Sequence, residues 1–312
     1  MSKITVIGAG NVGATVADSI ARKDIVKEVV LLDIKEGFAE GKALDIWQTS
    51  AIENFTTRVT GTTGDYSKTA DSEIIVITSG LPRKPGMTRD DLISTNAKIV
   101  NEVTKKALEH SPNAILIIVS NPLDVMTYAA FKTAGIPSHK VFGMAGILDT
   151  ARYRAFLADE IGNSPKDIQA LLMGGHGDTM VPLPRYTTVN GIPITQFVKE
   201  ERLNQIVERT KNGGGEIVKL LGTSAWYAPG AAAAQMVEAI VKDEKRCFPV
   251  CAYLQGQYGL DKIYLGVPVI LGKNGIEEII ELKLNEVETK DLINSASAVK
   301  TVMDVYDNMK LD

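Results

Sequence analysis

Short, uniformly apolar segments alternate with longer helical segments through the first half of the chain. The apolar segments span residues 4–7, 29–32, 74–78, 115–119 and 141–142. Strands of a parallel sheet are apolar in this way because crossover helices cover both faces of the sheet. The intervening segments are long enough for right-handed β-α-β crossovers. The pattern predicts an α/β domain with a doubly wound parallel sheet over residues 1–143.

The pattern changes after residue 143. Helical character at residues 150–162, 227–243 and 289–309, with β-rich segments at 168–173, 181–189 and twice within 248–271, predicts a second, α+β domain over residues 144–312. Three consecutive glycines at 213–215 predict a helix break and not a phosphate-binding loop, because no strand precedes them. No flexible linker separates the halves, so we expect two rigidly packed domains with a cleft between them.

Composition and charge exclude several classes of protein. The 312 residues include 45% hydrophobic and 23% charged residues, as in ordinary folded chains, and the net charge is −4, which disfavours nucleic acid as a partner. No apolar run reaches the ~18 residues of a membrane span, and the N-terminus enters a strand pattern directly, so we expect a cytoplasmic protein without membrane contact. Cys247 and Cys251 fit neither a redox pair nor zinc ligands; we interpret both as packing residues in a reducing compartment and predict no metal site.

A glycine-rich loop follows the first predicted strand directly. It reads GAGNVG and comprises Gly8, Ala9, Gly10, Asn11, Val12 and Gly13. Glycines at this spacing allow a tight turn, close approach of a pyrophosphate and close helix packing, and the following helix offers free N–H donors. Asp33, twenty residues after Gly13, is placed to accept hydrogen bonds from adenosine ribose hydroxyls and to repel a 2′-phosphate. The alternative is a simple turn followed by a capping aspartate. The combination favours a Rossmann-type NAD site.

The chain has three histidines that could serve as an acid or base near neutral pH. His110 ends a lysine-rich helical segment and His139 follows Pro137, so both are interpreted as structural or solvated. His176 lies in MGGHGDT, where flanking glycines permit unusual backbone angles and close approach of another molecule. A histidine in a loop is more often structural than catalytic, so His176 needs partners before a role follows.

Five separated motifs carry a family resemblance over essentially the whole chain. They are GAGNVG with Asp33, GLPRKPGMTRDDL from Gly80, SNPLDV from Ser120, GILDTARYR from Gly146 and GGHGDT from Gly174. In this order and spacing they resemble the malate and lactate dehydrogenase family, and most of all its lactate-dehydrogenase-like bacterial malate dehydrogenases. The resemblance implies reversible hydride transfer between (S)-malate and NAD, giving oxaloacetate and NADH, and a place in the tricarboxylic acid cycle.

The resemblance also implies roles for individual residues. His176 would be the general base and Asp149 the carboxylate that orients it. Arg152 would hold the substrate's C1 carboxylate, Arg89 would polarise the C2 oxygen, and Asn121 would hydrogen-bond near that oxygen and the nicotinamide ribose. Without the family, Asp149 could cap a helix starting at Thr150 and Arg152 could be a surface cation. The further positions that match cofactor-lining residues of the family are Asn96, Val119, Ser120 and Asn121.

Substrate choice within the family is assigned chiefly to a loop position six residues before Arg89, where this sequence has Arg83. A second substrate carboxylate enclosed away from water needs a charged partner, and a methyl group there would leave Arg83 unpaired, so oxaloacetate is favoured over pyruvate. Residues 81–90 are interpreted as a lid over the substrate, and the alternative is a basic surface loop. Ala225 aligns where lactate enzymes have a larger threonine.

Two other functions stay open from the sequence alone. One is a lactate or other 2-hydroxyacid dehydrogenase, and the other is a catalytically silent NAD-binding protein. The family resemblance further implies a homo-oligomer, with a tetramer ahead of a dimer.

Overall fold

The computed structural model describes residues 2–82 and 88–309, except for the side chain of Arg89. The strands are β1 (Lys3–Ile7), β2 (Glu28–Asp33), β3 (Arg58–Thr63), β4 (Ile74–Ile77), β5 (Ile115–Ile118), β6 (Val141–Gly143), β7 (Ile168–Gln169), β8 (Leu172–Gly174), β9 (Met180–Pro182), β10 (Thr188–Val189), β11 (Ile192–Pro193), β12 (Arg246–Gln255), β13 (Asp261–Gly272) and β14 (Gly275–Ile279). The α-helices are α1 (Asn11–Lys23), α2 (Phe38–Gln48), α3 (Ser50–Glu53), α4 (Arg89–His110), α5 (Leu123–Ala134), α6 (Gly146–Ile161), α7 (Glu200–Lys211), α8 (Gly213–Leu221), α9 (Tyr227–Val241) and α10 (Glu286–Asp307).

The first half forms the predicted parallel sheet. Its strands lie in the order β3-β2-β1-β4-β5-β6, and every neighbouring pair is parallel. The apolar cores of β1, β4 and β5 are buried almost completely. The strand order reverses between β1 and β4, which is where open α/β sheets bind ligands, outside the carboxyl ends of the strands. The doubly wound fold class is confirmed.

One strand of this sheet was missed from the sequence. β3 reads RVTGTT, so its threonines and glycine lack the continuous apolar character of the other five strands. It lies at the edge of the sheet, next to β2, where fewer side chains need to be buried. Gly61 lies so close to α2 that a Cβ there would overlap the backbone of Ala39 and Glu40.

The second half extends the same sheet with antiparallel strands. β12 pairs with β6 through Cys251 and Gly143, β13 pairs with β12 along nearly its full length, and β8, β9 and β14 complete the sheet. A separate three-stranded sheet holds β7, β10 and β11. Tyr153 and Leu157 of α6 pack with Ile168 and Leu172 in a second buried cluster. These elements give the expected mixture of α and β structure, while the domain boundary after residue 143 stays a prediction.

Several predicted details of the second half are wrong. The helix predicted at residues 150–162 begins earlier, at Gly146, so Asp149 lies in its first turn. This excludes the alternative in which Asp149 caps a helix that starts at Thr150. Each of the segments 168–173 and 181–189 divides into two short strands, and in each case the two strands belong to different sheets. Cys251 is buried, as predicted, but Cys247 is exposed and is not a core packing residue.

The glycines at 213–215 do mark a break between helices, as expected. α7 ends at Lys211, Asn212 separates the two helices, and the glycines form the first turn of α8. In the part of the chain that the structure covers, no helix has the length and apolarity that a membrane crossing requires.

Candidate active site

A cleft of about 370 Å³ lies where the first half of the chain meets the second. From the first half it is lined by residues at the start of α1 and just after β5, among them Val12, Val119 and Asn121. From the second half it is lined by Arg152 of α6 and His176, which follows β8. Side chains predicted separately for cofactor, substrate and proton transfer therefore line one cavity.

Each of the three glycines in the loop after β1 is required or favoured for a different structural reason. Gly8 has a φ of +104°, and a Cβ there would lie 2.8 Å from the hydroxyl of Thr78. A Cβ on Gly13 would overlap the carbonyl oxygen of Gly8, because α1 packs directly on the turn. A Cβ on Gly10 would meet no atom of the described residues within 4 Å. Gly8 and Gly13 thus serve the fold, while Gly10 leaves room beside the start of α1.

The N-terminus of α1 offers an anion site. Gly10 is the N-cap, and no side chain of the described residues caps the helix there. The first N–H groups of the helix therefore remain available to a phosphate, and the helix dipole favours negative charge at this end. A pyrophosphate fits both this donor set and the open space beside Gly10.

Asp33 lies at the end of β2, next to the glycine loop. One carboxylate oxygen accepts a hydrogen bond from the backbone N–H of Ala9 at 2.7 Å, and the other accepts one from the N–H of Lys35 at 3.0 Å. Each oxygen retains a further lone pair, so the carboxylate can still accept hydrogen bonds from ribose hydroxyls. Its negative charge at this place disfavours a 2′-phosphate.

The other predicted cofactor residues follow β4 and β5. Val119 lines the cleft, and the buried Ser120 donates a hydrogen bond to the carbonyl of Ser79 at 2.5 Å. Asn96 is buried, and its side chain bonds both backbone groups of Leu81 and, at 2.7 Å, the carbonyl oxygen of Asn121. Asn96 thus ties the start of the predicted lid to the cleft wall. Its predicted contact with the cofactor stays a prediction.

His176 and Asp149 form a buried pair across the cleft wall. Nδ1 of His176 lies 2.8 Å from a carboxylate oxygen of Asp149, whose side chain is only 2% exposed. Asp149 is held in the first turn of α6, and His176 lies between Gly175 and Gly177 after β8. Because Nδ1 faces a carboxylate, the neutral ring carries its proton there and leaves Nε2 without one. Nε2 is then the atom that can accept a proton.

The charges around His176 raise its pKa above the ordinary value of 6.5. Burial alone acts in the opposite direction and is the largest single effect. The charge and hydrogen bond of Asp149, together with the charge of Asp124, outweigh burial and the opposing charge of Arg152. The imidazole therefore takes up a proton more readily than a histidine in water does.

Arg152 lies three residues after Asp149 on α6. One guanidinium nitrogen donates to Asp149 at 3.2 Å, while Nε is buried without a hydrogen-bond partner in the described part of the chain. The side chain is 14% exposed, lines the cleft and lies against Gly213 and Gly214 of α8. A buried guanidinium with unused donors fits a carboxylate ligand, because carboxylates bind arginine in a two-pronged geometry.

The structure brings together most of the predicted site but not all of it. Arg83 lies outside the described residues, as does the side chain of Arg89, so their roles stay predictions. Asn121 and Ala225 both line the cleft, as the sequence motifs suggested. Within the described ranges, no group of three His, Cys, Asp or Glu side chains forms a possible metal site.

One residue of the site does not follow from the sequence. Asp124, in the SNPLDV segment, accepts a hydrogen bond from the backbone N–H of His176 at 2.9 Å. From the sequence alone, an aspartate at the second position of a helix is explained by its favourable interaction with the helix dipole. Only the three-dimensional contact, across 52 residues of sequence, distinguishes the two interpretations.

A dinucleotide-type phosphate site that opens onto a histidine–aspartate pair defines a nicotinamide-dependent dehydrogenase. Comparison of the chain with models of known protein families leads to the same class. Residues 2–143 match the model of the lactate/malate dehydrogenase NAD-binding domain, and residues 147–309 match that of the lactate/malate dehydrogenase α/β C-terminal domain. The chain belongs to the lactate/malate dehydrogenase family.

Individual relatives cover nearly the full chain. A malate dehydrogenase of Cytophaga hutchinsonii is 69% identical over 307 residues, which is 98% of each chain. A solved structure of malate dehydrogenase from Salinibacter ruber has a TM-score of 0.94 at 57% identity, over 98% of this chain and 97% of that one. A lactate dehydrogenase from Cryptosporidium parvum, solved with lactic acid and nicotinamide adenine dinucleotide, also has a TM-score of 0.94, at 40% identity and over 99% and 98% of the chains. The backbone therefore resembles enzymes of both substrate classes equally well.

Proposed function

We propose that this chain is an NAD-dependent malate dehydrogenase that interconverts (S)-malate and oxaloacetate. The observation that carries the proposal is the pairing of His176 with Asp149 at 2.8 Å in the same cleft as the unpaired donors of Arg152. The oxidation of a 2-hydroxy acid requires an acid–base group for the hydroxyl proton and, next to it, a group that binds the carboxylate. The 69% identity to a malate dehydrogenase supports the choice of substrate.

His176 moves the hydroxyl proton. In malate oxidation, Nε2 accepts the proton of the C2 hydroxyl, and Asp149 stabilises the imidazolium that forms. In oxaloacetate reduction the same nitrogen returns the proton. Asp149 also fixes the tautomer, because its hydrogen bond to Nδ1 keeps Nε2 free for the substrate.

Arginine side chains hold the substrate. Arg152 binds the C1 carboxylate with the donors that Asp149 does not use. Arg89 polarises the C2 oxygen, and Asn121 hydrogen-bonds near that oxygen, as the family motifs imply. Holding the substrate at two points fixes C2 relative to His176, and such positioning contributes strongly to catalysis.

The glycine loop and Asp33 would hold NAD. The N–H groups at the start of α1 would bind the pyrophosphate and Asp33 the adenosine ribose. Val119 and Asn121, which line the cleft, would lie at the nicotinamide end, and the family motifs add Ser120. NAD, when bound there, supplies the hydride acceptor for C2. The carboxylate of Asp33 selects NAD over NADP.

The preference for malate over lactate rests on Arg83 and Ala225. The fold itself does not separate the two, since a malate and a lactate enzyme have equal TM-scores to this chain. Arg83 pairs with the second carboxylate of oxaloacetate, and Ala225 at the cleft leaves room for that group. Residues 81–90 act as the lid that brings Arg83 and Arg89 over the substrate.

A single assay tests the proposal. The purified chain is given NADH with either oxaloacetate or pyruvate at micromolar concentrations, and NADH absorbance is followed; NADPH replaces NADH in a parallel series. We expect rapid oxidation of NADH by oxaloacetate, a much lower kcat/KM for pyruvate and little turnover of NADPH. Preference for pyruvate would identify a lactate-type enzyme, and NADH binding without any turnover would identify a silent NAD-binding protein.

The proposal extends to assembly and location. Leu44 and Ile52, on α2 and α3, are 56% and 77% exposed, and Leu220 and Tyr227, near the α8–α9 connection, are 77% and 73% exposed. Exposed apolar side chains of this size favour a homo-oligomer that covers them. The family resemblance puts a tetramer ahead of a dimer. Light scattering after size-exclusion chromatography measures its mass. We further propose a cytoplasmic location and a role in the tricarboxylic acid cycle.

A further inference from the structure

A second carboxylate lies beside His176 and takes no part in the steps described above. Asp124 is the second residue of α5, the helix that follows β5, and its side chain is buried. Oδ2 accepts the hydrogen bond from the backbone N–H of His176 at 2.9 Å, and Oδ1 has no hydrogen-bond partner among the described residues. A buried carboxylate with one oxygen unsatisfied is costly to keep, which suggests a role beyond packing.

The segment that Asp124 contacts has little stiffness of its own. Gly174 and Gly177, on either side of His176, have φ angles of +83° and +108°. Two side chains hold the backbone between these glycines. The hydroxyl of Ser295 on α10 accepts a hydrogen bond from the N–H of Gly175 at 2.8 Å, and Asp124 accepts one from the next N–H, that of His176. Asp124 is therefore the direct tether between the catalytic histidine and α5.

The charges that face His176 come from several elements. Asp149 and Arg152 belong to α6 and Asp124 belongs to α5, while the thiol of Cys251 on β12 lies next to Asp124. Among the described side chains, two carboxylates thus oppose one guanidinium around the imidazole. The charge of Asp124 is one of the causes that raise the pKa of His176. Burial raises the pKa of Asp124 itself, and the charge of His176 and the hydrogen bond from its N–H act against that rise.

We propose that Asp124 is a positioning residue of the active site, which holds the backbone of His176 against α5 and supplies a second negative charge that stabilises the imidazolium. The proposal rests on the proposed function, because it assigns the proton transfer to His176. It predicts two separable effects, one of charge and one of geometry.

The charge effect is measured without any turnover. In Asp124→Asn an amide oxygen can still accept the His176 N–H, but the negative charge is gone. With only three histidines in the chain, imidazole proton NMR can follow each one through a pH titration. We expect the pKa of His176 to fall by about 0.5–1 unit, since a nearby negative charge stabilises the protonated ring. His110 and His139 serve as internal references.

A matched variant controls for the loss of one carboxylate. Asp291→Asn removes an exposed carboxylate on α10 and should leave the titration of His176 unchanged. A His176 titration that is the same in Asp124→Asn as in the parent would overturn the charge part of the proposal, because Asp124 would then be neutral or too well screened.

The geometric effect is measured by kinetics. Asp124→Ala leaves the N–H of His176 without its acceptor, and we expect kcat for oxaloacetate reduction to fall about 10- to 100-fold because the imidazole is misplaced. The Kd for NADH should change less than about twofold, since the glycine loop is untouched. Asp124→Asn should have a kcat much closer to that of the parent than Asp124→Ala has. In its pH profile for oxaloacetate reduction, the fall in rate on the alkaline side should begin at a lower pH than in the parent.

These outcomes separate the inference from the proposed function. If Asp124→Ala fails to fold, Asp124→Asn still carries both the titration and the kinetic profile. Normal kcat and an unchanged pH profile in Asp124→Asn and Asp124→Ala, with His176→Asn inactive, would disprove the role of Asp124 and leave the proposed function standing. Full activity in His176→Asn would instead disprove the proton transfer that the proposed function assigns to His176. The NMR titration would then still show whether the charge of Asp124 affects the pKa of His176.

Discussion

The two ends of the cleft are built in different ways. At the pyrophosphate part of the cofactor end, six consecutive residues after β1 supply the turn, the space and the backbone donors, and Asp33 lies beside them at the end of β2. At the catalytic end, Asp124, Asp149 and His176 come from three separate segments, and the two aspartate carboxylates contact the backbone N–H and the ring of His176. The first end is a local backbone arrangement, whereas the second exists only when the whole chain is folded.

This difference determines how each end responds to substitution. Backbone donors remain when a side chain is changed, so the cofactor end is sensitive mainly to groups that occupy its space. The catalytic end depends on particular charged atoms at hydrogen-bond distance, so a single substitution there removes a function outright. Substitutions at either end should consequently separate affinity from turnover.

The largest effect is expected at the base. His176→Asn removes the proton acceptor but keeps a polar side chain of moderate size. We expect kcat to fall about 1,000-fold, within the range that general acid–base catalysis contributes, while the Kd for NADH stays within about twofold. Stopped-flow reduction of oxaloacetate and NADH fluorescence titration measure the two quantities. His139→Asn, which changes an exposed histidine outside the cleft, should behave as the parent chain; substantial turnover in His176→Asn would show that another group moves the proton.

The next largest effect is expected for substrate choice. Arg83→Gln removes the partner of the second substrate carboxylate, and a charge enclosed without a partner costs several kcal/mol. We expect the ratio of kcat/KM for oxaloacetate to that for pyruvate to fall about 100-fold or more, partly through a gain with pyruvate. Lys84→Gln removes a charge from the neighbouring position and should leave the ratio unchanged. An unaltered ratio in Arg83→Gln would place the specificity elsewhere in the cleft.

A smaller effect is expected from two glycines of one loop. In Gly13→Ala the new methyl group overlaps the carbonyl of Gly8, so we expect a loss of about 1–3 kcal/mol in unfolding free energy and a higher Kd for NADH. In Gly10→Ala the methyl group meets only open space, and φ is already −60°, so the free energy of unfolding should change little. The Kd for NADH should nevertheless rise about tenfold, because the space belongs to the pyrophosphate. Thermal unfolding and NADH titration of both variants test the distinction; equal stability losses would contradict it.

The predictability of the fold follows from the same contrast between local and distant interactions. Five of the six parallel strands are continuous apolar segments, and burial on both faces requires that composition. β3 was missed because an edge strand can consist of threonine and glycine. The segments 168–173 and 181–189 each form two short strands that belong to different sheets, and this was not predicted. The division depends on packing against α6, which the periodicity of the sequence does not encode.

The candidate site shows the same limit. The glycine loop could be predicted from spacing alone, and the structure gives each of its glycines a separate reason. His176, Asp149 and Arg152 were assigned only through the family's motifs, since no local pattern brings residues 27 positions apart into contact. Asp124 was missed even so, because its contact is with a backbone N–H and leaves no mark on the sequence pattern of His176.

The most gradual expected effect is the pH dependence, which tests the catalytic end without any substitution. Asp149 and Asp124 raise the pKa of His176 above its ordinary value of 6.5 against the opposing effect of burial. Oxaloacetate reduction needs the protonated ring, so its rate should fall at most tenfold per pH unit as pH rises through that pKa. Malate oxidation needs the neutral ring, so its rate should fall in the same way as pH drops through it. Both directions are measured with saturating cofactor over a pH range that begins below the ordinary histidine pKa of about 6.5 and extends well above it. Parallel profiles would mean that cofactor binding or lid closure, and not the imidazole, sets the observed pH dependence.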